Sequence, residues 1–319
     1  MRKIHLLTLI PLILLSCQEK TELRTDLKPI YSDYKNTLQR NNLYGKVKKI
    51  EYFKTTFQNT DKEDKSVLNK IEEYTDFGEL KKAEYFDNHG ELLQTNVIDY
   101  NENKKFIKSI SFSKSNNTNI LQTVEYDSIK NTSELNVFLN DTIDHKMISY
   151  FGRNDYPIKQ VTIKGNDTTE VNFEYDFDNN NKIKSATQKE KGNKKSMTSN
   201  LYKYDNNNNL VESSYKTEWL EMISETEWKD GRILKQTSYT IAADLKKYTD
   251  NITEFDILYN PINEKIYENS ELNRELEYDY EFDQFGNWIK RTVSMKEYFA
   301  KSNKFIPIYI ETRKIKYWK

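Results

Sequence analysis

The chain has 319 residues, 49 Lys+Arg against 50 Asp+Glu and a formal net charge of −1, with the two signs interspersed throughout, so no basic footprint for nucleic acid is expected. Hydrophobic residues reach only 36% and mean hydropathy is −0.90, yet 13% of the chain is aromatic, which excludes a disordered composition. Tyrosine dominates that fraction, and its buried ring and wet hydroxyl suit a sheet with one packed face, one solvated face and few layers of core.

Arg2-Lys3 precedes the apolar run Leu6–Leu15, which is too short to span a bilayer as a permanent helix and reads as a secretory signal. The following Leu14-Leu15-Ser16-Cys17 resembles the lipobox of bacterial lipoproteins, and that resemblance implies lipidation of Cys17 as the first residue of the mature chain. Loss of Arg2 and Lys3 leaves 47 basic residues against 50 acidic ones, a net charge of −3. Cys17 is the sole cysteine, so no disulfide is expected and the exported chain must be held by strand pairing and packing. Residues 18–44 form a polar connector. Ile30, Tyr34 and Leu38, four residues apart after Pro29, predict a short helix in it.

From residue 45 to 319 the pattern is that of strands. In Val171–Phe177 and Glu277–Asp283 apolar and polar residues alternate, the period of a half-buried strand. A turn recurs between strands: an aromatic residue, a polar stretch, Gly or Asn, one variable residue, then an apolar one. Copies are Tyr74–Leu80, Phe86–Leu92, Phe177–Ile183, Tyr204–Leu210, Trp228–Ile233 and, best spelled, Phe282–Trp288, with weaker copies expected from Tyr100, Tyr126, Tyr150 and Tyr259. The candidate turn residues are Gly78, Gly90, Asn181, Asn209, Gly231 and Gly286, because the turn demands a positive φ that Gly adopts freely and Asn tolerates. After the last of these turns, Ile289 and Val293 are expected on one face of the return strand. Starts lie 24 to 27 residues apart, as from Phe177 to Tyr204 and from Tyr204 to Trp228, which accommodates two strands and two turns.

These aromatic-Asp-x-x-Gly-x-apolar units resemble the YD repeats of the RHS family. The ending Gly286-Asn287-Trp288-x-x-Arg291 is similar to the closing repeat of small YD-repeat-like bacterial lipoproteins. The resemblance implies an all-β fold of antiparallel hairpin repeats. In large family members such hairpins wind into a shell around a cargo. This chain is far shorter and lacks their autoproteolytic core motif and toxin domain, so a closed shell is not expected. Some 16 to 20 strands would instead form one long, twisted and curled sheet or a wrapped β-solenoid, since strand twist accumulates. The Lys-rich end, Lys314–Lys319, reads as an edge strand made unattractive to further pairing.

Catalytic groups are sparse. Only His89 and His145 follow the signal, and His89 falls in a turn. Asp205, Asn207 and Asn209 alternate like the start of an EF-hand loop, but Leu210 and Lys216 stand where Gly and a closing Glu are needed, which favours turn chemistry over calcium. Carboxylates such as Glu221, Glu225 and Glu227 make no glycosidase pair by number alone. Trp219, Trp228, Trp288 and Trp318 are candidates for stacking on sugar rings, although the pattern favours packing between hairpins for Trp288. Asp127-Ser128-Ile129, Asp141-Thr142-Ile143 and Asp167-Thr168-Thr169 resemble the O-glycosylation acceptor of some Gram-negative groups.

The expectation is therefore three segments: a signal peptide at 1–16, a lipidated N-terminus and connector at 17–44, and a repeat domain at 45–319. It is read as a non-enzymatic lipoprotein of a Gram-negative outer membrane, without cofactor or metal, offering its sheet to a protein or polysaccharide partner. The alternatives are a glycan-binding module of a nutrient-uptake system and, with least support, an envelope hydrolase.

Overall fold

The computed structural model describes residues 37–57, 65–152, 155–192, 197–242, 245–298 and 304–319. The signal segment, Cys17 and the connector up to residue 36 lie outside them. The elements are α1 (Thr37–Arg40), β1 (Val47–Thr56), β2 (Val67–Tyr74), β3 (Leu80–Phe86), β4 (Leu92–Tyr100), β5 (Phe106–Ser113), β6 (Thr118–Asp127), β7 (Thr132–Leu139), β8 (Thr142–Phe151), β9 (Pro157–Lys164) and β10 (Asp167–Phe177). They continue with β11 (Ile183–Glu190), β12 (Met197–Tyr204), β13 (Leu210–Lys216), β14 (Glu221–Lys229), β15 (Arg232–Ile241), β16 (Lys247–Phe255), β17 (Pro261–Glu268), β18 (Glu271–Phe282), β19 (Trp288–Glu297) and β20 (Ile306–Tyr317). The protein is all-β, its strands belong to one sheet, and neighbours pair antiparallel.

The turn motif has a repeating physical basis. Counting the aromatic as the first of seven residues, the second is usually Asp, and its Oδ1 accepts the N–H of the fourth and sixth. Asp87, Asp178, Asp205, Asp256 and Asp283 all do this at 2.8–3.0 Å. The fifth residue takes positive φ: Gly78, Gly90, Lys104, Asp155, Asn181, Asn208, Tyr259 and Gly286. In the fourth copy the left-handed residue is thus Asn208, and Asn209 instead donates its Nδ2 to Asp205 Oδ2 at 2.9 Å. The first and seventh residues face each other across the hairpin beside a bulge, as in Tyr74↔Leu80, Phe177↔Ile183, Tyr204↔Leu210 and Phe282↔Trp288. That pairing holds the aromatic-to-apolar spacing constant.

Four expected copies differ from this scheme. In the copy expected from Tyr126 the left-handed residue is Asn131, and Asp127 rather than Tyr126 faces Thr132. Tyr259 is the left-handed residue of a copy that begins at Phe255, and the copy expected from Tyr150 begins at Phe151, since Phe255↔Pro261 and Phe151↔Pro157 are the facing pairs. At Trp228–Ile233 the turn is a two-residue hairpin with positive φ at both Asp230 and Gly231, as at Asn140-Asp141 and Asn269-Ser270. In four hairpins a Tyr at or near the end of the strand before the turn reaches, with its hydroxyl, the carbonyl that opens the preceding strand. Tyr126 reaches Phe106, Tyr175 reaches Pro157, Tyr204 reaches Ile183 and Tyr280 reaches Pro261, at 2.9–3.3 Å.

The described residues fall into two compact units. The first comprises residues 97–224 and 240–247, the second residues 37–96, 225–239 and 248–319. In the first, β5–β13 form a meander of sequential antiparallel pairs. One face carries the ion pairs Lys146–Glu134, Lys159–Glu170, Lys189–Glu174 and Lys203–Glu212 at 2.6–3.0 Å. The other carries Val124, Leu135, Val171, Phe173, Tyr175, Tyr202 and Tyr204, the alternate register of the same strands. Of this unit's described residues only Val137, Ser149 and Ser214 are buried, so it behaves as a single layer stabilised by its ladder, cross-strand pairs and turns.

In the second unit the order is β3-β2-β1-β20-β19-β18-β17-β16. The expectation of an edge strand at the C-terminus is overturned: β20 is paired on both sides, with β1 from Val47↔Tyr317 to Thr56↔Tyr309 and with β19. First and last strands thus close the ladder that an open curled sheet or solenoid would leave unpaired. Lys314 and Lys316 are simply the outward register of β20, whose other register holds Tyr309, Glu311, Arg313, Ile315 and Tyr317. Leu38, Leu43, Val47, Ile50 and Tyr74 form one buried cluster; Tyr278, Tyr280, Trp288 and Val293 form another.

Candidate functional site

The best-spelled turn, Phe282–Trp288, organises the second unit. Asn287 stands where Asn209 and Asn260 bind back to their own aspartates, but here the side chain is diverted. Its Oδ1 accepts the Tyr44 N–H, and its Nδ2 donates to the Tyr44 carbonyl and the Tyr317 hydroxyl, each at 2.8 Å. Asp283 Oδ2 accepts the Tyr317 hydroxyl instead. Neighbouring turns hold the same segment: the Leu38 N–H donates to Gly78 O at 3.0 Å, Thr37 Oγ1 donates to Glu79 at 2.5 Å, and Asn42 Nδ2 donates to Leu258 O. Residues 37–45 are therefore clamped across three hairpin tips.

Beyond the turn, Ile289 is the extra residue of the bulge, unpaired while Phe282 faces Trp288 and Glu281 faces Lys290. The buried register of the return strand is thus Trp288, Arg291 and Val293, replacing the expected Ile289 and Val293. One inserted residue puts Trp288 and Arg291, three apart, on the same face, which accounts for the Trp-x-x-Arg spacing.

On that face lies a charged aromatic cluster. Glu72 Oε1 takes Lys70 Nζ at 2.5 Å, and its Oε2 takes the hydroxyls of Tyr52 at 2.6 Å and Tyr74 at 2.8 Å. Burial pushes the Glu72 carboxyl up, but the Lys70 charge and the two hydroxyls outweigh it and hold the group below its usual value. Arg291 is ion-paired with Glu311. The Arg313 guanidinium lies 3.3 Å from the Trp288 ring centroid and 5.0 Å from that of Tyr52, while Arg291 stands 4.9 Å from Trp288. The Nε atoms of both arginines lack a hydrogen-bond partner among the described residues. Burial, with the Arg291 charge beside it, pulls the Arg313 group below its usual value. Tyr278 donates to Glu264 at 2.7 Å, and burial raises the Tyr309 hydroxyl to about 12. Phenols pushed upward and carboxylates already engaged in hydrogen bonds are poor proton shuttles at neutral pH.

Of the sequence candidates, Gly78 bonds the 37–45 segment directly and Gly286 belongs to the turn whose Asn287 does so, whereas Gly90, Asn181, Asn209 and Gly231 sit in separate hairpins. Cys17 lies outside the described residues. Asp205 spends both oxygens on its own turn. Glu221 pairs with Lys216, Glu225 accepts from Tyr239 and Glu227 pairs with Lys235. No cluster of metal-ligating side chains occurs among the described residues. The His89 N–H binds Asp87, and His145 Nδ1 meets Asp144 at 2.7 Å. Trp219 is 65% exposed, and Ser128, Thr142 and Thr168 are exposed at hairpin tips. Tyr52, Glu72 and Arg313 were missed as site residues. The available signal was the placing of Glu311 and Arg313 in the same alternation as Tyr309, Ile315 and Tyr317.

No protein-family model and no curated protein matches the chain. Among solved structures, it is similar to a porin-like protein from Bacteroides uniformis ATCC 8492, with 12% identity over 85% of this chain and 98% of that one at a TM-score of 0.35. A porin-like protein from Bacteroides vulgatus ATCC 8482 gives 10% identity, 85% and 98% coverage and a TM-score of 0.29. The TcdB2-TccC3-Cdc42 structure gives 11% identity over 77% of this chain and 16% of that one, at 0.25. Among the described residues no helix is long and apolar enough to cross a membrane, which says nothing of strands.

Proposed function

We propose that the protein is a non-enzymatic, lipid-anchored component of a Gram-negative envelope, held at the outer membrane through Cys17 and offering the sheet of its first unit to a protein or polysaccharide partner. One observation carries the partner surface. Of the seventeen large hydrophobic side chains exposed among the described residues, thirteen, including Phe112, Leu139, Ile143, Tyr150, Leu201 and Trp219, belong to the unit that buries almost nothing. The lipobox-like Leu14-Leu15-Ser16-Cys17 supports the anchor. Photo-crosslinkers placed at Phe112, Ile143 and Trp219 in intact cells are expected to capture a discrete partner that a crosslinker at ion-paired Lys203 does not; equal or absent capture at all four rejects the surface. Cys17→Ser is expected to release the protein from the membrane fraction and abolish lipid labelling, and retention of both rejects the anchor.

The glycan-binding reading keeps one specific support, the exposed indole of Trp219. Calorimetric titration with an oligosaccharide panel decides it, since heat that vanishes in Trp219→Ala favours sugar and silence throughout removes it.

A further inference from the structure

We propose that Arg313 is the centre of a binding site for a carboxylate group, built on the inward register of β1, β2, β19 and β20. The argument starts from charge pairing. Glu72 is satisfied by Lys70, Tyr52 and Tyr74, and Glu311 by Arg291, so both neighbouring carboxylates are already taken. Arg313 is left with ring faces alone: Trp288 covers one side at 3.3 Å, Tyr52 lies 5.0 Å away, and its Nε–H finds no acceptor among the described residues. A guanidinium packed among neighbours without a carboxylate of its own is costly unless an anion reaches the donors that remain open. The residue is not sealed: its Nε is buried, but Arg313 as a whole keeps some solvent-accessible surface.

The geometry also narrows the ligand. With Trp288 and Tyr52 beside its faces and its Nε buried, Arg313 can be approached only at the end of its plane, where the two Nη groups form a fork that two coplanar oxygens match. One unpaired positive charge calls for one negative charge, and a doubly charged phosphate would bring its second charge against Glu72 and Glu311. A carboxylate meets both conditions. It arises either from an acidic sugar or from a peptide chain end, and the site itself reads only the group they share. This inference stands apart from the anchor and partner surface proposed above.

The test is titration of the purified full chain with sodium glucuronate and N-acetylglycine, with glucose, sodium chloride and sodium sulfate as controls, read by calorimetry and tryptophan fluorescence. Saturable binding with a change in tryptophan emission is expected for at least one carboxylate and not for glucose or chloride. Preference for glucuronate assigns an acidic sugar, and preference for N-acetylglycine assigns a chain end. Arg313→Lys keeps the charge but loses the fork, and is expected to weaken binding about tenfold, the loss of one charge-assisted hydrogen bond. Absence of saturable binding to either carboxylate by the wild-type chain overturns the site. So does binding of sulfate alone, or unchanged affinity in Arg313→Lys.

Discussion

Replacing Asn287 with Ala tests the clamp on the N-terminal segment. The side chain is 2% exposed and makes three hydrogen bonds of 2.8 Å, two to the backbone of Tyr44 and one to the Tyr317 hydroxyl. At about 1 kcal/mol net for each, the substitution costs about 3 kcal/mol, and the stranded Tyr44 N–H pushes the figure upward. Chemical denaturation should show the urea midpoint falling by about 1 M, taking a denaturant slope of about 3 kcal/mol/M. The change should also be local: amide exchange at Leu43, Tyr44 and Gly45 should quicken far more than in β5–β13, which belong to the other unit. Asn287→Asp keeps an acceptor for the Tyr44 N–H but loses both donations, and it sets a second carboxylate beside Asp283, so it should be no more stable than the Ala variant at neutral pH. A midpoint within about 0.3 M of wild type, about 1 kcal/mol on the same slope, with unchanged protection at Tyr44, would refute the idea that this turn holds the segment.

Glu72→Gln probes the buried carboxylate. Because the folded group sits below its ordinary 4.5, its stabilisation is complete above pH 4.5 and lost as pH falls through the lower folded value. Acid denaturation should accordingly show the stability gap between wild type and Glu72→Gln closing below pH 4.5, and a gap constant with pH would reject the assignment. At the fourth turn, Asn208→Val should cost about 1–2 kcal/mol for the left-handed backbone while Asn208→Gly is tolerated. Asn209→Gly should lose about 1 kcal/mol through the Asp205 bond, and the reverse order in urea melts would place the left-handed residue at 209. Tyr175→Phe removes the 2.9 Å bond to the Pro157 carbonyl and should lower stability by about 1 kcal/mol, whereas an unchanged midpoint would deny the clasp between strands any energetic role.

Much of the fold was legible because its rules are local. Alternation in Val171–Phe177 and Glu277–Asp283 marks strands wherever it occurs, and a polar turn between an aromatic and an apolar residue marks a hairpin wherever its left-handed position can be met. The errors came where local signals were ambiguous by one residue. Asn206 to Asn209 offer four candidates for a single positive φ, and only the hydrogen bonds of Asp205 choose among them. Tyr259 looked like a strand-ending aromatic because nothing in its own side chain announces a left-handed backbone.

The site was harder to read than the fold. The signature Gly286-Asn287-Trp288-x-x-Arg291 was visible, but its purpose depends on groups outside its own hairpin: Asn287 acts on Tyr44, 243 residues away, and Trp288 meets an arginine from β20. Arg313 directly precedes the Lys-rich ending, whose Lys314 and Lys316 are exposed, and nothing in its own side chain marks it as enclosed.

What the sequence determined by itself is the strand period, the turn chemistry and the pairing of each strand with its chain neighbour, because each depends on residues within about one hairpin of one another. Only the tertiary structure decided that β1 and β20 join, and thereby that Tyr52, Glu72, Arg291, Trp288 and Arg313 share one face. The reason is physical: alternation says that a side chain leaves the strand on one side or the other, but which side is enclosed, and by what, is settled by the register of the strands that meet there and by a single bulge beside Trp288.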